Sequence, residues 1–204
     1  MDYYDIYYVQ VRGTPRSGKT MLALLLGRYI KRLQPKVSVI WVDGWRDRET
    51  RSWSSYLRSK GWKSGDETVF IFDEAQETYW DTNLWNMFFK SIHDYCYTAI
   101  VFASYGSPTS TGVKNTNMVI TQRVTLSPTD DEDGLPPIGI LLTRLEFQDL
   151  IAERYPSEQH SFHATFLDGI FSLTAGHAGA VSDLLDVILA SDKVCSFTMN
   201  ALVI

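Results

Sequence analysis

The sequence predicts an α/β fold, a three-layer α/β/α arrangement in which helices cover both faces of a five-stranded parallel sheet. Two observations predict this class. Strand-like and helix-like segments alternate along the first part of the chain, and several of the strand-like segments are continuously apolar. Because successive side chains of a strand point to opposite faces, a continuously apolar strand is buried on both faces, as in a parallel sheet between helices.

Five segments have strand character and define the predicted sheet. They cover residues 5–12, 37–42, 68–73, 97–104 and 118–126. Helices are predicted between them from apolar spacing, N-cap residues and helix breakers. They cover residues 20–33, 47–60 with Asp47 as the N-cap, and 83–95. In the first helix the apolar residues at helical spacing are Leu22, Leu25, Leu26, Tyr29, Ile30 and Leu33.

The character of the chain changes after Leu126. An acidic, turn-rich stretch, SPTDDEDGLPPIG, is followed by helix-like segments. Thr143 and Glu146 have the spacing of a capping box, which predicts a helix to about Arg154. Two more helices are predicted over HATFLDGIFSLTAGH, with a glycine stop, and over AGAVSDLLDVILA. We therefore expect a sheet domain over residues 1–128 and a linker with a small helical cap over 129–204.

Charge and apolar patterning limit the classes of partner. The formal net charge is −5, so the chain lacks an overall positive field for nucleic acid, which is not expected as a partner of this chain alone. No apolar run approaches the ~20 residues that span a bilayer, so no membrane contact is expected. Without a recognisable signal peptide, the chain on its own is expected in the cytoplasm. Cys96 and Cys195 lack metal-ligand spacing and are expected as reduced thiols.

The stretch GTPRSGKT, residues 13–20, matches G-x-x-x-x-G-K-[ST], the phosphate-binding loop or Walker A motif. It lies between a predicted strand and a predicted helix, which is the context this motif requires. Glycines let the backbone approach the phosphates, and the amides at the start of the helix point toward them. Lys19 supplies a charge for the β- and γ-phosphates, and Thr20 offers its hydroxyl to Mg²⁺. The predicted nucleotide-binding residues are Gly13, Arg16, Ser17, Gly18, Lys19 and Thr20.

A second motif ends the third predicted strand. In TVFIFDEAQETYW, residues 68–80, an apolar strand runs into Asp73 and Glu74. This is the Walker B pattern, in which the aspartate holds Mg²⁺ directly or through water. If the chain turns at the end of the strand, Glu74 can polarise the attacking water; a surface salt bridge is the alternative. Together with Lys19, the two carboxylates predict metal-assisted hydrolysis of a nucleoside triphosphate, with Glu74 and Lys19 as catalytic residues and Thr20 and Asp73 as metal ligands.

Four further residues are candidate sensors of the phosphates. Ser104 ends the strand that is expected between those of the two Walker motifs, although it could be a simple turn residue. Gln76 could contact the γ-phosphate or the water. Arg123 could stabilise a phosphate charge, with a structural ion pair as the alternative. His177 could reach the nucleotide from the cap, with a histidine in a turn as the alternative.

Basic residues and tryptophans interleave in WRDRETRSWSSYLRSKGWK, residues 45–63. Such a mixture can bind single-stranded nucleic acid by charge and stacking. The favoured interpretation is that the tryptophans pack on the sheet while the charged groups remain solvated.

Five stretches together resemble a known family. GTPRSGKT, FIFDEAQETYW, NMFFKSI, VFASYGSP and LTAGHAGAVSDLL, in this order, are similar to the nucleotide-hydrolysing domain of Crinkler-type (CRN) effector proteins of fungi and oomycetes. That domain is similar to the signal-transducing STAND branch of P-loop ATPases. The resemblance covers nearly the whole chain, and its most specific part is DEAQETYW with FASYGSP.

The resemblance implies a five-stranded P-loop NTPase core of the ASCE type, ATP with Mg²⁺, and a helical lid. The choice of ATP over GTP follows from the resemblance alone. It also implies a longer parent protein with a header region and often a nuclease-like domain, secreted into a host cell, with the nucleus as one destination. STAND ATPases usually carry a proline after the lid glycine, where this chain has His177 after Gly176.

Four functions remain open from the sequence. The leading one is an ATPase that acts as a conformational switch, with a second copy or another protein as a candidate partner. A helicase-like motor, suggested by DEAQ, needs two such domains. A non-hydrolysing nucleotide-binding scaffold needs only Gly18, Lys19 and Thr20. A small-molecule kinase of this fold normally lacks the glutamate directly after Asp73.

Overall fold

The computed structural model of the protein divides into two compact units. It describes residues 7–43, 45, 52–95, 97–104, 123–124, 126–127, 139–156 and 162–191. The first unit comprises Met1–Pro15 and Lys19–Leu126, and the second comprises Arg16–Gly18 and Ser127–Ile204.

The first unit is built on a parallel sheet, so the predicted α/β class is confirmed. Its four full-length strands are β1 (Tyr8–Gly13), β2 (Ser38–Asp43), β3 (Thr68–Asp73) and β4 (Thr98–Ser104). The two residues of β5 (Arg123–Val124) pair with β1 at the sheet edge, giving the order β2-β3-β4-β1-β5. Five full-length strands were predicted, and the described part of the chain contains four. Most of the predicted fifth strand, residues 118–122 and 125, lies outside the described residues.

The described part of the chain contains five regular helices, two in the first unit and three in the second. They are α1 (Lys19–Leu33), α2 (Trp53–Ser59), α3 (Arg144–Arg154), α4 (Ala164–Thr174) and α5 (Ala178–Ala190). Helix α2 begins later than predicted, because Ser52 is its N-cap and accepts a hydrogen bond from the amide of Ser55. The proposed N-cap, Asp47, lies outside the described residues.

The single helix predicted over residues 83–95 is wrong. Within this range the chain instead forms a π-helical turn at Leu84–Phe88 and a 3-10 turn at Ile92–Tyr95, and another 3-10 turn, Ala75–Thr78, precedes it. Aromatic packing explains the difference, since Trp85, Phe88 and Phe89 are all buried against the sheet. The ring of Phe89 meets that of Phe72 edge-on, with centroids 5.0 Å apart. Tertiary packing of this kind overrides the local preference for a regular helix.

One face of the sheet carries the main core of the first unit. Phe70, Phe72 and Val101 on this face are completely buried. Trp45 and Trp62 lie in the same cluster and are almost completely buried. The favoured interpretation of the tryptophans as core residues is therefore confirmed for these two side chains.

Helix α1 covers the other face of the sheet. The side of the helix that packs on the sheet is not the side that carries its large apolar residues. Its buried residues are Lys19, Ala23 and Gly27. A Cβ atom on Gly27 would lie only 3.2 Å from Cδ1 of Ile71, so the small residues allow close approach of the helix to the sheet. The exposed large apolar side chains of α1 are Met21, Leu22, Leu24, Leu25, Tyr29 and Leu33. The apolar residues predicted from spacing are thus largely on the solvent side.

The second unit has a small helical core of its own. The predicted capping box is confirmed, because Thr143 accepts from the amide of Glu146 and the Glu146 carboxylate accepts from the amide of Thr143. The buried apolar residues of α3, α4 and α5 are Phe147, Ile151, Ile170, Val181 and Leu185. None of the described helices is long and apolar enough to cross a membrane.

Gly176 connects α4 to α5 in a conformation that only glycine adopts readily. Its φ is +76°, and a Cβ at this position would lie 2.3 Å from the carbonyl oxygen of Leu142. The amide of Leu142 also donates to the carbonyl oxygen of Gly176 at 2.8 Å, which keeps the two backbones in contact. The glycine stop predicted for α4 is therefore a packing requirement as well as a turn.

Replacing Gly176 by alanine is expected to lower the free energy of unfolding by about 2–4 kcal/mol, from left-handed strain plus the clash with Leu142. Gly169, in α4, is the matched control, because a Cβ there has no heavy atom within 4 Å. Gly169→Ala should raise stability by about 0.5–1 kcal/mol through helix propensity. Denaturant unfolding of the two variants checks this; equal stabilities would contradict the close approach at Gly176.

Candidate functional site

The glycine-rich loop joins β1 to α1 and places its residues at the carboxyl end of the sheet. Gly13 is the last residue of β1, and helix α1 begins at Lys19. Arg16 and Gly18 have positive φ angles of 62° and 90°, which give the loop its tight turn. Gly13 is not among the glycines with positive φ. The free amides at the start of α1 make this end attractive to an anion.

Lys19 is the charged centre of the site and is buried, with 4% of its surface exposed. Its Nζ donates to the carbonyl oxygens of Gly13 at 3.2 Å and Thr14 at 2.8 Å. Burial lowers the pKa of Lys19 from its usual value, and the carboxylates of Glu74 and Asp73 act in the opposite direction. The two predicted acids are therefore near enough to Lys19 to oppose the effect of its burial.

Ser17 and Thr20 carry two of the three side-chain hydroxyl groups of the GTPRSGKT stretch. The Oγ of Ser17 is buried and has no hydrogen-bond partner among the described residues. A buried hydroxyl without a partner is unfavourable unless a ligand supplies one. Thr20, the second residue of α1, is exposed. Both hydroxyls suit an oxygen-rich ligand at this end of the helix.

Asp73 and Glu74 stand where β3 ends. Asp73 is 8% exposed, and its Oδ1 accepts from the amide of Glu74 at 3.1 Å. Glu74 itself is left-handed, with φ 50° and ψ 42°, a conformation that costs a non-glycine residue about 1–2 kcal/mol. The chain thus turns sharply after Asp73, as expected for a glutamate directed away from the strand. Local strain of this kind is concentrated at functional sites.

Gln76 joins Glu74 to the end of the neighbouring strand. Its Nε2 donates to Oε2 of Glu74, and its Oε1 accepts from the amide of Ser104 at 3.0 Å. Ser104, the last residue of β4, lies beside Gly13 in the parallel register. The expected position of β4 between β1 and β3 is confirmed. Sequence reasoning placed Gln76 and Ser104 separately and missed the link between them, since no local pattern predicts it.

Arg123 is not shown at the site: only its backbone is described, paired with Gln10 on β1. His177 is the N-cap of α5, where its Nδ1 accepts from the amide of Ala180 at 3.1 Å. The sensor roles of both residues stay predictions. Cys96 and Cys195 lie outside the described residues.

Arg16 belongs to the second unit, where its guanidinium forms a two-pronged ion pair with Asp183 of α5. Gly179 of the same helix packs on Arg16, because a Cβ on this glycine would lie 2.7 Å from the Arg16 carbonyl oxygen. The Arg16 side chain therefore has a structural partner that the sequence did not predict. Both partners of the pair are roughly half exposed or more, so it contributes little to stability.

The protein groups at the site suit a hard cation only in combination with an oxygen-rich ligand. Within the described ranges, no group of three or more His, Cys, Asp or Glu side chains is arranged to hold a metal ion. Thr20 and Asp73 offer one hydroxyl and one carboxylate. Mg²⁺ is commonly held by one or two such protein groups together with phosphate oxygens and water, so this donor set fits it.

A comparison of the chain with models of protein families finds no match, and a comparison with curated proteins finds none.

The N-cap contact of His177 predicts how substitutions at this position change stability. Removing the acceptor in His177→Ala should lower the free energy of unfolding by about 1 kcal/mol, whereas His177→Asn keeps an acceptor and should change it by less than about 0.5 kcal/mol. Thermal or denaturant unfolding measures both. Equal destabilisation by the two variants would show that the imidazole does more than cap α5.

Proposed function

We propose that this chain is a magnesium-dependent nucleoside triphosphatase of the P-loop class, with ATP as substrate. One observation carries the proposal: Lys19 is buried at the start of α1, directly after the loop that follows β1, and Asp73 and Glu74 stand at the end of β3, with only β4 between these two parallel strands. A mobile cation, a metal-binding carboxylate and a second carboxylate at the edge of a parallel sheet are the groups that phosphoryl transfer to water requires.

We also infer that the sheet is the ASCE-type core with five strands. The strand order β2-β3-β4-β1-β5 supports this, because the strand of the glutamate and the strand of the phosphate loop are separated by β4. The two paired residues of β5 lie where a fifth strand would continue. The ends of β1, β3 and β4 then share one edge of the sheet, where ligands bind in open α/β folds.

Phosphate binding would use the ammonium group of Lys19, the hydroxyl group of Ser17 and the backbone amides at the start of α1. The Nζ of Lys19 would exchange the carbonyl oxygens of Gly13 and Thr14 for β- and γ-phosphate oxygens. The Ser17 hydroxyl would gain a partner. The amides from Gly18 to Thr20 add the positive end of the helix dipole.

Thr20 and Asp73 would hold Mg²⁺, which when bound offsets the negative charge that develops on the phosphate oxygens. Glu74 would orient a water molecule and accept its proton. The water oxygen forms a bond to the γ-phosphorus, and the bond from that phosphorus to the bridging oxygen breaks. The electron pair leaves with the nucleoside diphosphate, and Lys19 stabilises the charge on the departing oxygens.

The choice of ATP, and the role as a conformational switch within a larger effector, are supported by the resemblance to Crinkler-type NTPase domains. The motor alternative gains no support from the tryptophans, because Trp45 and Trp62 are buried in the core. Turnover that rises many-fold with single-stranded RNA or DNA would favour the motor.

Glu74→Gln is expected to lower kcat for ATP by ~10²–10⁴-fold, the usual contribution of a general base, while the Kd for ATP stays within about threefold of wild type. Glu77→Gln, three residues further along, is the matched control and should retain full turnover. Steady-state phosphate release and calorimetric titration with Mg²⁺ present measure both quantities. If the wild-type protein binds ATP without turnover, the result would contradict hydrolysis and favour the non-hydrolysing scaffold.

Lys19→Ala is expected to weaken ATP binding by ~10–100-fold, as for loss of one charge-assisted contact. Lys31→Ala, at an exposed position in the last turn of the same helix, should leave the Kd unchanged. Chelation of Mg²⁺ should abolish turnover in every variant. Undiminished ATP binding by Lys19→Ala would remove the loop from the proposed site.

A further inference from the structure

The side chain of Gln76 spans the gap between two strand ends. From the 3-10 turn Ala75–Thr78 after β3 it donates to the Glu74 carboxylate, and it accepts from the backbone amide of Ser104 at the end of β4. Ser104 is in turn the register partner of Gly13, the first residue of the phosphate loop. A continuous chain of contacts therefore runs from the phosphate loop to the Glu74 carboxylate.

The chemistry of these contacts fixes the orientation of the Gln76 amide. The NH₂ group faces a carboxylate oxygen, and the carbonyl oxygen faces an N–H donor. Rotating the amide by 180° would place oxygen against oxygen and donor against donor, so neither contact would survive. Glutamine is the common side chain that offers both a donor and an acceptor at this reach.

The Glu74 carboxylate lies in the field of two other charged groups. The Lys19 ammonium group attracts it, and the carboxylate of the preceding residue, Asp73, has the same charge as Glu74 and repels it. A hydrogen bond from Gln76 can fix its position between these influences. An amide donor holds Oε2 without neutralising the carboxylate, and no hydrogen bond to Oε1 is found among the described residues. Oε1 is then the oxygen left to accept a proton from water.

We propose that Gln76 is a positioning residue, which fixes the Glu74 carboxylate relative to the phosphate loop through the end of β4. The proposal rests on the proposed function, since Glu74 is the proton acceptor only if the chain hydrolyses a nucleoside triphosphate. In this role Gln76 acts through Glu74. A contact of Gln76 with the γ-phosphate, considered from the sequence, stays a separate prediction, because neither hydrogen bond uses the second N–H of its Nε2.

Two variants test the role. Gln76→Ala removes both contacts, and Gln76→Glu keeps the size of the side chain and an acceptor for Ser104 but removes the donor to Glu74. Both should lower kcat for ATP by ~10–100-fold, a part of the general-base contribution, with Kd for ATPγS within about threefold of wild type. Asn83→Ala, an exposed amide further along the same segment, is the control and should be fully active.

A double-mutant cycle with Glu74 distinguishes a positioning role from a merely structural one. If Gln76 acts through Glu74, Gln76→Ala should change single-turnover hydrolysis by less than about threefold in the Glu74→Gln background. An equal loss in both backgrounds, a parallel rise in Kd, or unchanged kcat in Gln76→Glu would overturn the proposal. Wild-type protein without ATP turnover would instead overturn the proposed function and, with it, this role.

Discussion

The burial of a lysine ammonium group is the constraint on which the rest of the site depends. A buried cation is unfavourable unless nearby groups replace its hydration. For Lys19 the carbonyl oxygens of Gly13 and Thr14 do so, with the charges of Glu74 and Asp73 close by. The carbonyl oxygens belong to the last residue of β1 and the residue after it, and the carboxylates to the last residue of β3 and the residue after it, so two strand ends set the surroundings of the ammonium group. The compensation is also incomplete, since burial still lowers the lysine's pKa, and an anion that enters the loop would complete it.

The aromatic layer on one face of the sheet holds the strand ends in place. Phe70 and Phe72 of β3 are completely buried, and their rings pack edge-on against Phe88 and Phe89, with centroids 5.2 and 5.0 Å apart. Interiors packed in this way deform little. The carboxylates after β3 therefore extend from a rigid base, whereas the loop that carries Lys19 is set by backbone turns.

The sequence predicted the parts of this protein that local chemistry determines. The parallel α/β class, the strand ending at Asp73 and the capping box at Thr143 follow from patterns within a few residues of each other. The prediction of one helix over residues 83–95 was wrong because aromatic packing against the sheet determines that segment. The apolar pattern of α1 did not predict its buried side, because the small residues Ala23 and Gly27 pack against residues far away in the sequence. The Gln76 contact with Ser104 was missed for the same reason: the two residues are 28 positions apart and meet only in the folded sheet.

The left-handed backbone at Glu74 sets stability and chemistry against each other at one position. Glycine and asparagine adopt this conformation more readily than glutamate does. Random mutagenesis followed by selection for heat resistance alone would therefore enrich those two residues at position 74, and each enriched clone would have lost its carboxylate. If the chain hydrolyses a nucleoside triphosphate as proposed, a library screened for turnover would reject the same clones. At position 74, selection for heat resistance and a screen for turnover should therefore recover different residues from the same library.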